Sequence, residues 1–520
     1  MEPSFRPVSF LFLFLAFLFL PNFFFFFFCT GLSELHCIDT ERQALLNFKQ
    51  HLIDSSNRLS SWTAHGDCCQ WEGVVCHNVT AHVQQLHLRT FYPEGGIATE
   101  EQYEAYRRSM FGGKLNPSLL DLKHLNYLDL SFNNFSASPI PSFLGSMKSL
   151  TSLNLSNAGF VGVIPHQLGN ISNLLYLNLE GYYSYDLYVN NLEWLSGLPL
   201  LQHLDMSYVN LSKASDWVQL TNTLPSLLNL RLYDCQLRSF IPPTVNFSSL
   251  LTLDLSNNYF ENTSIPSWIF GLRNLVSLDL FDNYFQGSIP VDLQNMTSLS
   301  HLDLSGNFFN SSIPNWLYSF SRLEFLNLRS NNLQGTISSA IGNLTSAISI
   351  DLSENKLVGK LPRSLGNLCN LREIRLSYNK WSQEISEILE SLSGCLSDRL
   401  EILYLSHSQL HGHLTDQLGV FKNLVELSFY NNSISSPIPV SLGNLSSLRI
   451  LDLGNNQFKG TLLPQNFGQL SKLEALYIDS NMLKGVVSEV HFSNLTSLSI
   501  LYAGGNQLTL KASKNWIPPF

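Results

Sequence analysis

The chain has 520 residues, 44% of them hydrophobic and only 13% charged, with a net charge of -10 and a pI near 5.8. An acidic chain with no basic stripe excludes nucleic acid as a partner. A globular chain of this length would divide into several domains unless it repeats one unit.

Residues 1–31 read as a secretory signal peptide. Arg6 precedes an apolar run from Val8 to Phe28, and Cys29, Thr30 and Gly31 supply the small residues of a cleavage site. The run is long, so an uncleaved signal anchor is the second reading. Either way the rest enters the secretory lumen. No apolar run long enough to span a bilayer follows residue 31.

Residues 32–81 read as an N-terminal cap. Cys37, Cys68, Cys69 and Cys76 lie around Trp62, Trp71 and Gly73. The first unit of a solenoid needs covering, and a short disulfide-tied module does this in an oxidising compartment. Of three connectivities, Cys37–Cys68 with Cys69–Cys76 is expected, because adjacent cysteines are poorly placed to bond each other. The spacing is not a paired C-x2-C set, which argues against zinc.

From residue 82 to 520 the pattern L-x-x-L-x-L-x-x-N recurs, as in Leu253-Asp254-Leu255 with Asn258 and Leu302-Asp303-Leu304 with Asn307. The ladder position falls at Asn133, Ala158, Tyr182, Val209, Cys235, Asn258 and onward to Asn506, mostly 23 to 27 residues apart, with 29 between Asn379 and Ser408. The predicted fold is a right-handed leucine-rich repeat solenoid of about 16–17 units. A parallel sheet should line the concave face and short 3-10 turns the convex face. Alternation sends the leucines inward and places Asp129, Asp254, Asp279 and Asp303 toward solvent. The ladder Asn should bond buried backbone groups in the following turn. The four units from Ala158 to Cys235 lack it and are expected to be less regular. Many second halves read G-x-[IVL]-P and then L-G-N-L, where Pro should start a short turn and Gly end it. Cys369 and Cys395, in neighbouring units, are candidates for a third disulfide.

Residues 89–113 interrupt the period, and such an insertion is a candidate functional segment. Thirteen N-x-[ST] sequons suit a lumenal chain. Twelve are expected glycan acceptors: Asn78, Asn134, Asn170, Asn210, Asn246, Asn262, Asn295, Asn310, Asn343, Asn431, Asn444 and Asn494. The thirteenth, Asn154, sits in a strand and should be poorly used. There is no phosphate loop, no H-E-x-x-H and no other catalytic, cofactor or metal motif, so a binding protein is expected rather than an enzyme.

The cap motif, the repeat L-x-x-L-x-L-S-x-N-x-F/L-x-G-x-I-P and the sequons resemble plant extracellular leucine-rich repeat proteins. The segments Lys123-His124-Leu125-Asn126-Tyr127-Leu128, Leu211-Ser212-Lys213-Ala214-Ser215-Asp216-Trp217 and Gly485-Val486-Val487-Ser488-Glu489 are similar to receptor-like proteins of the xylanase-elicitor receptor and apple-scab resistance type. The resemblance runs from about residue 34 to the last residue. It implies a cell-surface defence receptor with no kinase of its own, which binds a microbial or endogenous protein or peptide and signals through receptor-kinase co-receptors. By position it implies ligand contacts at Tyr92, Tyr103, Tyr106, Arg107 and Arg108 in the insertion. On the concave face it implies Tyr127, Tyr176, Phe325 and Tyr404. The family pattern continues where this chain stops, so the resemblance ties membrane attachment to a missing C-terminal segment. It implies the plasma-membrane exterior for a full-length member and the apoplast for a chain ending at 520. The second reading is a secreted inhibitor of microbial wall-degrading enzymes or a soluble decoy, distinguished by whether the working protein carries a membrane span.

Overall fold

The computed structural model describes residues 36–519 apart from 93–98, 136–137, 183–184, 216, 222, 239–248, 261–262, 463–466 and 468. The signal segment 1–31 lies outside these residues. Eighteen short strands pair in a line from Val74–Cys76 to Ile500–Tyr502. The first pair is antiparallel and every later pair is parallel. No pairing joins the two ends, so the sheet is open and curved, as repeated units of one rotation require.

The register follows the leucines. Leu86, Leu128, Leu153, Leu177, Leu204, Leu230 and Leu253 stand opposite one another on successive strands, and each is fully buried. A one-residue slip would turn that whole row outward, so burial pins the register. The last strand differs: Leu501 is 41% exposed against 1% for Leu476.

The cap is built on α1 (Asp39–Lys49), which buries Ala44, Leu45 and Phe48. Its Glu41 is also buried, with one carboxylate oxygen accepting from the Val83 amide at 2.7 Å and the other 2.9 Å from His82 Nδ1. Those bonds offset the cost of burying a charge and attach the cap to the first long strand. Trp62 stacks on Trp71 at 5.4 Å. The structure joins Cys37 to Cys68 and Cys69 to Cys76, with Cα separations of 5.3 and 5.4 Å. The cap thiols are therefore not free to hold zinc.

Where present, the ladder asparagine makes the turn after the strand. Asn258 is buried, and its amide donates to the carbonyls of Leu232, Leu255 and Ser256 at 2.8–3.0 Å. Its Oδ1 accepts from the amides of Cys235 and Leu237. One side chain thus satisfies five backbone groups that would otherwise be buried without partners. At Cys235 the thiol takes the slot and reaches the Met206 carbonyl at 3.1 Å.

Three expectations need correcting. The units from Ala158 to Cys235 keep the strand register without a break, because buried leucines set it and the ladder residue does not, but they are less regular outside the sheet, as expected. Their departure is on the outer side, where the short helix α3 (Trp217–Thr221) replaces the usual 3-10 turn. The convex side also holds one longer helix, α4 (Ile385–Leu392), which buries Ile385, Ile388, Leu389 and Leu392. It occupies the 29-residue interval, and Cys395 just after it bonds Cys369 of the preceding unit.

The concave aspartates do not stand free in solvent. Asp129 and Asp205 are only 5% and 4% exposed. Each accepts the amide and hydroxyl of the serine two residues on, Ser131 or Ser207. The repeated L-D-L-S is therefore a self-contained turn.

Finally, in units such as Arg363–Asn367, Pro362 stands just before the 3-10 turn and Gly366 lies inside it. A Cβ on Gly366 would come within 1.8 Å of the Ser391 carbonyl, and one on Gly169 within 2.2 Å of the Trp194 carbonyl. These glycines let successive convex turns approach and do not terminate them.

A second set of parallel pairings, not anticipated from the sequence, follows the ladder position on the flank. An example is Gln334–Gly335 beside Lys356–Gly359 and Lys380–Trp381. Gly335 and Gly359 adopt φ of 86° and 93° there. That left-handed backbone explains the recurrent glycine before the turn.

Candidate ligand-recognition surface

The insertion is moored at both roots. Arg58 of the cap donates to Thr90 Oγ1 at 2.7 Å, the Ser109 carbonyl at 2.9 Å and the Arg89 carbonyl at 2.6 Å. Its guanidinium also lies 4.2 Å from the Phe111 ring centre. Asn133 Oδ1 accepts from Thr90 Oγ1 and from the Phe111 amide, both at 2.8 Å. Gly112–Gly113 then pairs with Leu52–Ile53. Departure and return of the insertion are thereby fixed to the cap and to the first full unit. Nothing in the sequence signalled Arg58, which lies 51 residues before Ser109.

Between the roots stands α2 (Glu100–Ser109), opened by a capping box in which Thr99 and Gln102 bond each other's backbone amides. Of its residues only Tyr106 is buried, so the helix leans on a single anchor. Tyr92 meets Tyr106 edge-on at 5.0 Å, Tyr103 lies 6.3 Å from Tyr106, and the Arg107 guanidinium sits 5.2 Å over the Tyr103 ring. Burial, reinforced by Tyr182, Tyr103 and Tyr92, pushes the Tyr106 hydroxyl up to about 12. Tyr92 and Tyr103 are 51% and 38% exposed, and Arg107 and Arg108 are exposed. The structure therefore gathers Tyr92, Tyr103, Tyr106 and Arg107 into one cluster and adds Tyr182, a ladder residue from the third full unit.

The four concave aromatics do not form one site. Tyr127 and Tyr176 lie on strands two apart, while Phe325 and Tyr404 lie much farther along the same sheet. At about 4.8 Å per strand, Tyr127 and Tyr404 are separated by roughly 50 Å of sheet. Each is held by a neighbour. Tyr127 stacks on His87 and Tyr176 on His203, both at 4.5 Å. Phe325 lies 5.7 Å from His301 and is 40% exposed. Tyr404 donates to Glu426, and burial followed by that bond raises its pKa. They make a column of rigid contacts, suited to an extended partner rather than a small molecule.

Down the middle of the column run Asp254, Asp279 and Asp303. Asp279 lacks a serine two residues on, since Phe281 stands there and offers only its amide. Burial first, then Asp254, lifts Asp279 to about 7. Asp279, His301 and Asp303 bring ligand-type atoms within 4.8 Å of one another. Asp303, however, is already engaged by Ser305 and Asn327.

Among the expected glycan acceptors, Asn78, Asn134, Asn170, Asn295, Asn310, Asn343, Asn444 and Asn494 are exposed. Asn210 and Asn431 are half-buried, and Asn246 and Asn262 lie outside the described residues. Asn154 is also half-buried, its Oδ1 accepting from the Ser156 amide. No helix among the described residues is long and apolar enough to cross a membrane.

Comparison with known proteins agrees with this architecture. A leucine-rich repeat N-terminal domain matches residues 38–77, and the Leucine Rich Repeat family matches nine segments between 124 and 470. The segments skip 172–248, which holds the ladder positions Tyr182, Val209 and Cys235. Receptor-like protein EIX1 of Solanum lycopersicum is 38% identical over 286 residues, 53% of this chain and 27% of that protein. Receptor-like protein EIX2 of the same species is 35% identical over 277 residues, 52% of this chain and 26% of that protein. The chain thus matches about a quarter of the length of these relatives. Among solved structures, the plant peptide hormone receptor RGFR1 in complex with RGF2 superposes with a TM-score of 0.53 at 22% identity. The superposition covers 85% of this chain and 84% of that one, a likeness of fold. The chain therefore carries a leucine-rich repeat N-terminal domain and leucine-rich repeats, and the relatives it matches are plant receptor-like proteins.

Proposed function

We propose that this chain is the extracellular ligand-recognition region of a plant receptor-like protein in defence. It binds a microbial or endogenous protein or peptide along the concave sheet and the insertion, and signals through partner receptor kinases. The observation that carries this reading is the rooted insertion: a segment moored at both roots that bears an almost wholly exposed helix, beside a long open sheet with aromatic contacts. A helix that buries one side chain contributes little to the fold, so its retention in an ordered position is explained by contact with something else. Disulfides and sequons support a contact outside the cytosol. The lack of catalytic or cofactor motifs fits recognition rather than catalysis.

The test is expression of the full chain in plant cells, joined to the membrane segment of a receptor-like relative, with the response to microbial wall-degrading enzymes as readout. A response that disappears when residues 92–108 are replaced by a short Gly-Ser linker supports the reading. A response that is unchanged by that replacement overturns the role of the insertion.

A further inference from the structure

Arginines along the solenoid are treated differently. Four of those beyond Asn258 are paired with glutamates. Arg329 lies 2.6 Å from Glu354, Arg372 2.9 Å from Glu401 and Arg449 2.8 Å from Glu474, and Arg375 pairs with Glu373. At the root of the insertion they are not. Arg89, Arg107 and Arg108 are exposed, and none has a carboxylate within 4 Å among the described residues. The insertion carries glutamates as well, Glu100, Glu101 and Glu104 on the helix among them, so what sets these three arginines apart is their open donors and not a net positive charge.

Arg89 is also held in place. Its guanidinium lies 4.7 Å from the Phe132 ring centre and 5.7 Å from that of Phe91, so two rings carry it while its donors stay open. It borders a cavity of about 430 Å3 between cap, first strand and insertion. The other polar groups around that cavity are committed. Arg58 spends its donors on Thr90, Ser109 and the Arg89 carbonyl. Asp129 accepts from Ser131 and Tyr127. His87 is stacked on Tyr127 and bonded to Gln85. Glu72 faces Arg58. Arg89 is the strong donor left over. Arg89 and Arg107 flank one tyrosine cluster, since Arg89 acts electrostatically on Tyr106 and Arg107 covers Tyr103.

We infer that the root of the insertion is an acid-reading subsite, in which Arg89 takes a carboxylate side chain of the protein or peptide ligand and Arg107 and Arg108 hold neighbouring negative charge. The cavity fits one or two side chains, and a planar guanidinium matches a carboxylate with two parallel hydrogen bonds. The partner is thus an acidic, aromatic-compatible segment of polypeptide. This rests on the ligand-recognition reading above and specifies the chemistry read at its N-terminal end.

The probe is a fluorescein-labelled hexapeptide, Gly-Tyr-Glu-Asp-Glu-Gly with blocked ends, and its uncharged counterpart with Gln, Asn and Gln. Both are titrated by fluorescence anisotropy against the full secreted chain at low and at physiological salt. The acidic peptide is expected to bind at least about tenfold tighter, with the preference shrinking as salt screens it. Arg89→Gln removes that preference, Arg89→Lys restores part of it, and both variants melt at the wild-type temperature. Equal binding of the two peptides, or a preference untouched by Arg89→Gln, overturns the subsite. If the subsite fails while replacement of 92–108 still abolishes the cellular response, the receptor reading stands alone. If the charge preference is present and the response is not, the subsite stands and the defence reading falls.

Discussion

The units up to Cys235 and those beyond Asn258 are built on one strand pattern but use their polar groups differently. Beyond Asn258 the ladder asparagines close four or five backbone bonds each, and the arginines named above close on glutamates. Between Asn133 and Asn258 the ladder residues are Ala158, Tyr182, Val209 and Cys235, the insertion leaves the array next to the cap, and Arg89, Arg107 and Arg108 have no carboxylate partner among the described residues. The lesson is that internal satisfaction makes a good spacer and leaves little with which to bind. A segment whose hydrogen-bonding groups are not spent within the fold can spend them on a partner.

That comparison can be broken at several points. The largest effect is expected from Cys68→Ser combined with Cys69→Ser. Losing both cap bridges costs about 2–5 kcal/mol each. The double variant should stay in the secretory pathway and aggregate, and normal secretion measured in the culture medium would contradict the capping role. Next is Asn258→Ala, which strips partners from buried groups of Leu232, Leu255, Ser256, Cys235 and Leu237. About 3 kcal/mol of destabilisation is expected. Cys235→Ala should cost less, about 1 kcal/mol, because a thiol is a weak donor. Urea titration of both variants measures the difference, and equal losses would remove the distinction between the two regions.

Smaller still is the stability effect of replacing 92–108 by a short linker, within about 1 kcal/mol, because among the described residues of that stretch only Tyr106 is buried. The replacement keeps Thr90, Ser109 and Phe111, through which Arg58 and Asn133 lock the roots. A large drop in melting temperature would show that the insertion is part of the core.

The smallest effect belongs to Asp279→Asn. Burial and Asp254 raise the carboxyl from 3.8 to about 7 on folding. A carboxyl raised on folding supports the fold fully below pH 3.8 and loses that support as pH rises through about 7. The variant should therefore melt higher than the parent at pH 8 and no higher at pH 4. A gain of the same size at both values would assign the effect to packing instead.

Much of the array was legible because its signals are local. The leucine period, the ladder Asn and the alternation of the strand each act within a few residues, so the sheet and its register followed from the pattern. The aspartates were misjudged because alternation gives direction but not partners, and Ser131 bends back to cover Asp129. The convex glycines were misjudged because Gly366 meets Ser391, a residue of the next unit. In the site, Tyr103, Tyr106 and Arg107 were legible as residues of an insertion that breaks the period. Arg58 and Tyr182 were not, since each reaches the cluster from a separate element.

By itself the sequence determined the solenoid and the place where the period breaks, both of which depend on spacing along the chain. Only the tertiary structure decided which groups are spent and which remain. It roots the insertion on Arg58, closes L-D-L-S on itself, pairs Arg329 with Glu354 and leaves Arg89 between Phe91 and Phe132 with open donors. The physical reason is that hydrogen bonds and ion pairs are settled by proximity in space, and a curved stack brings together residues tens of positions apart.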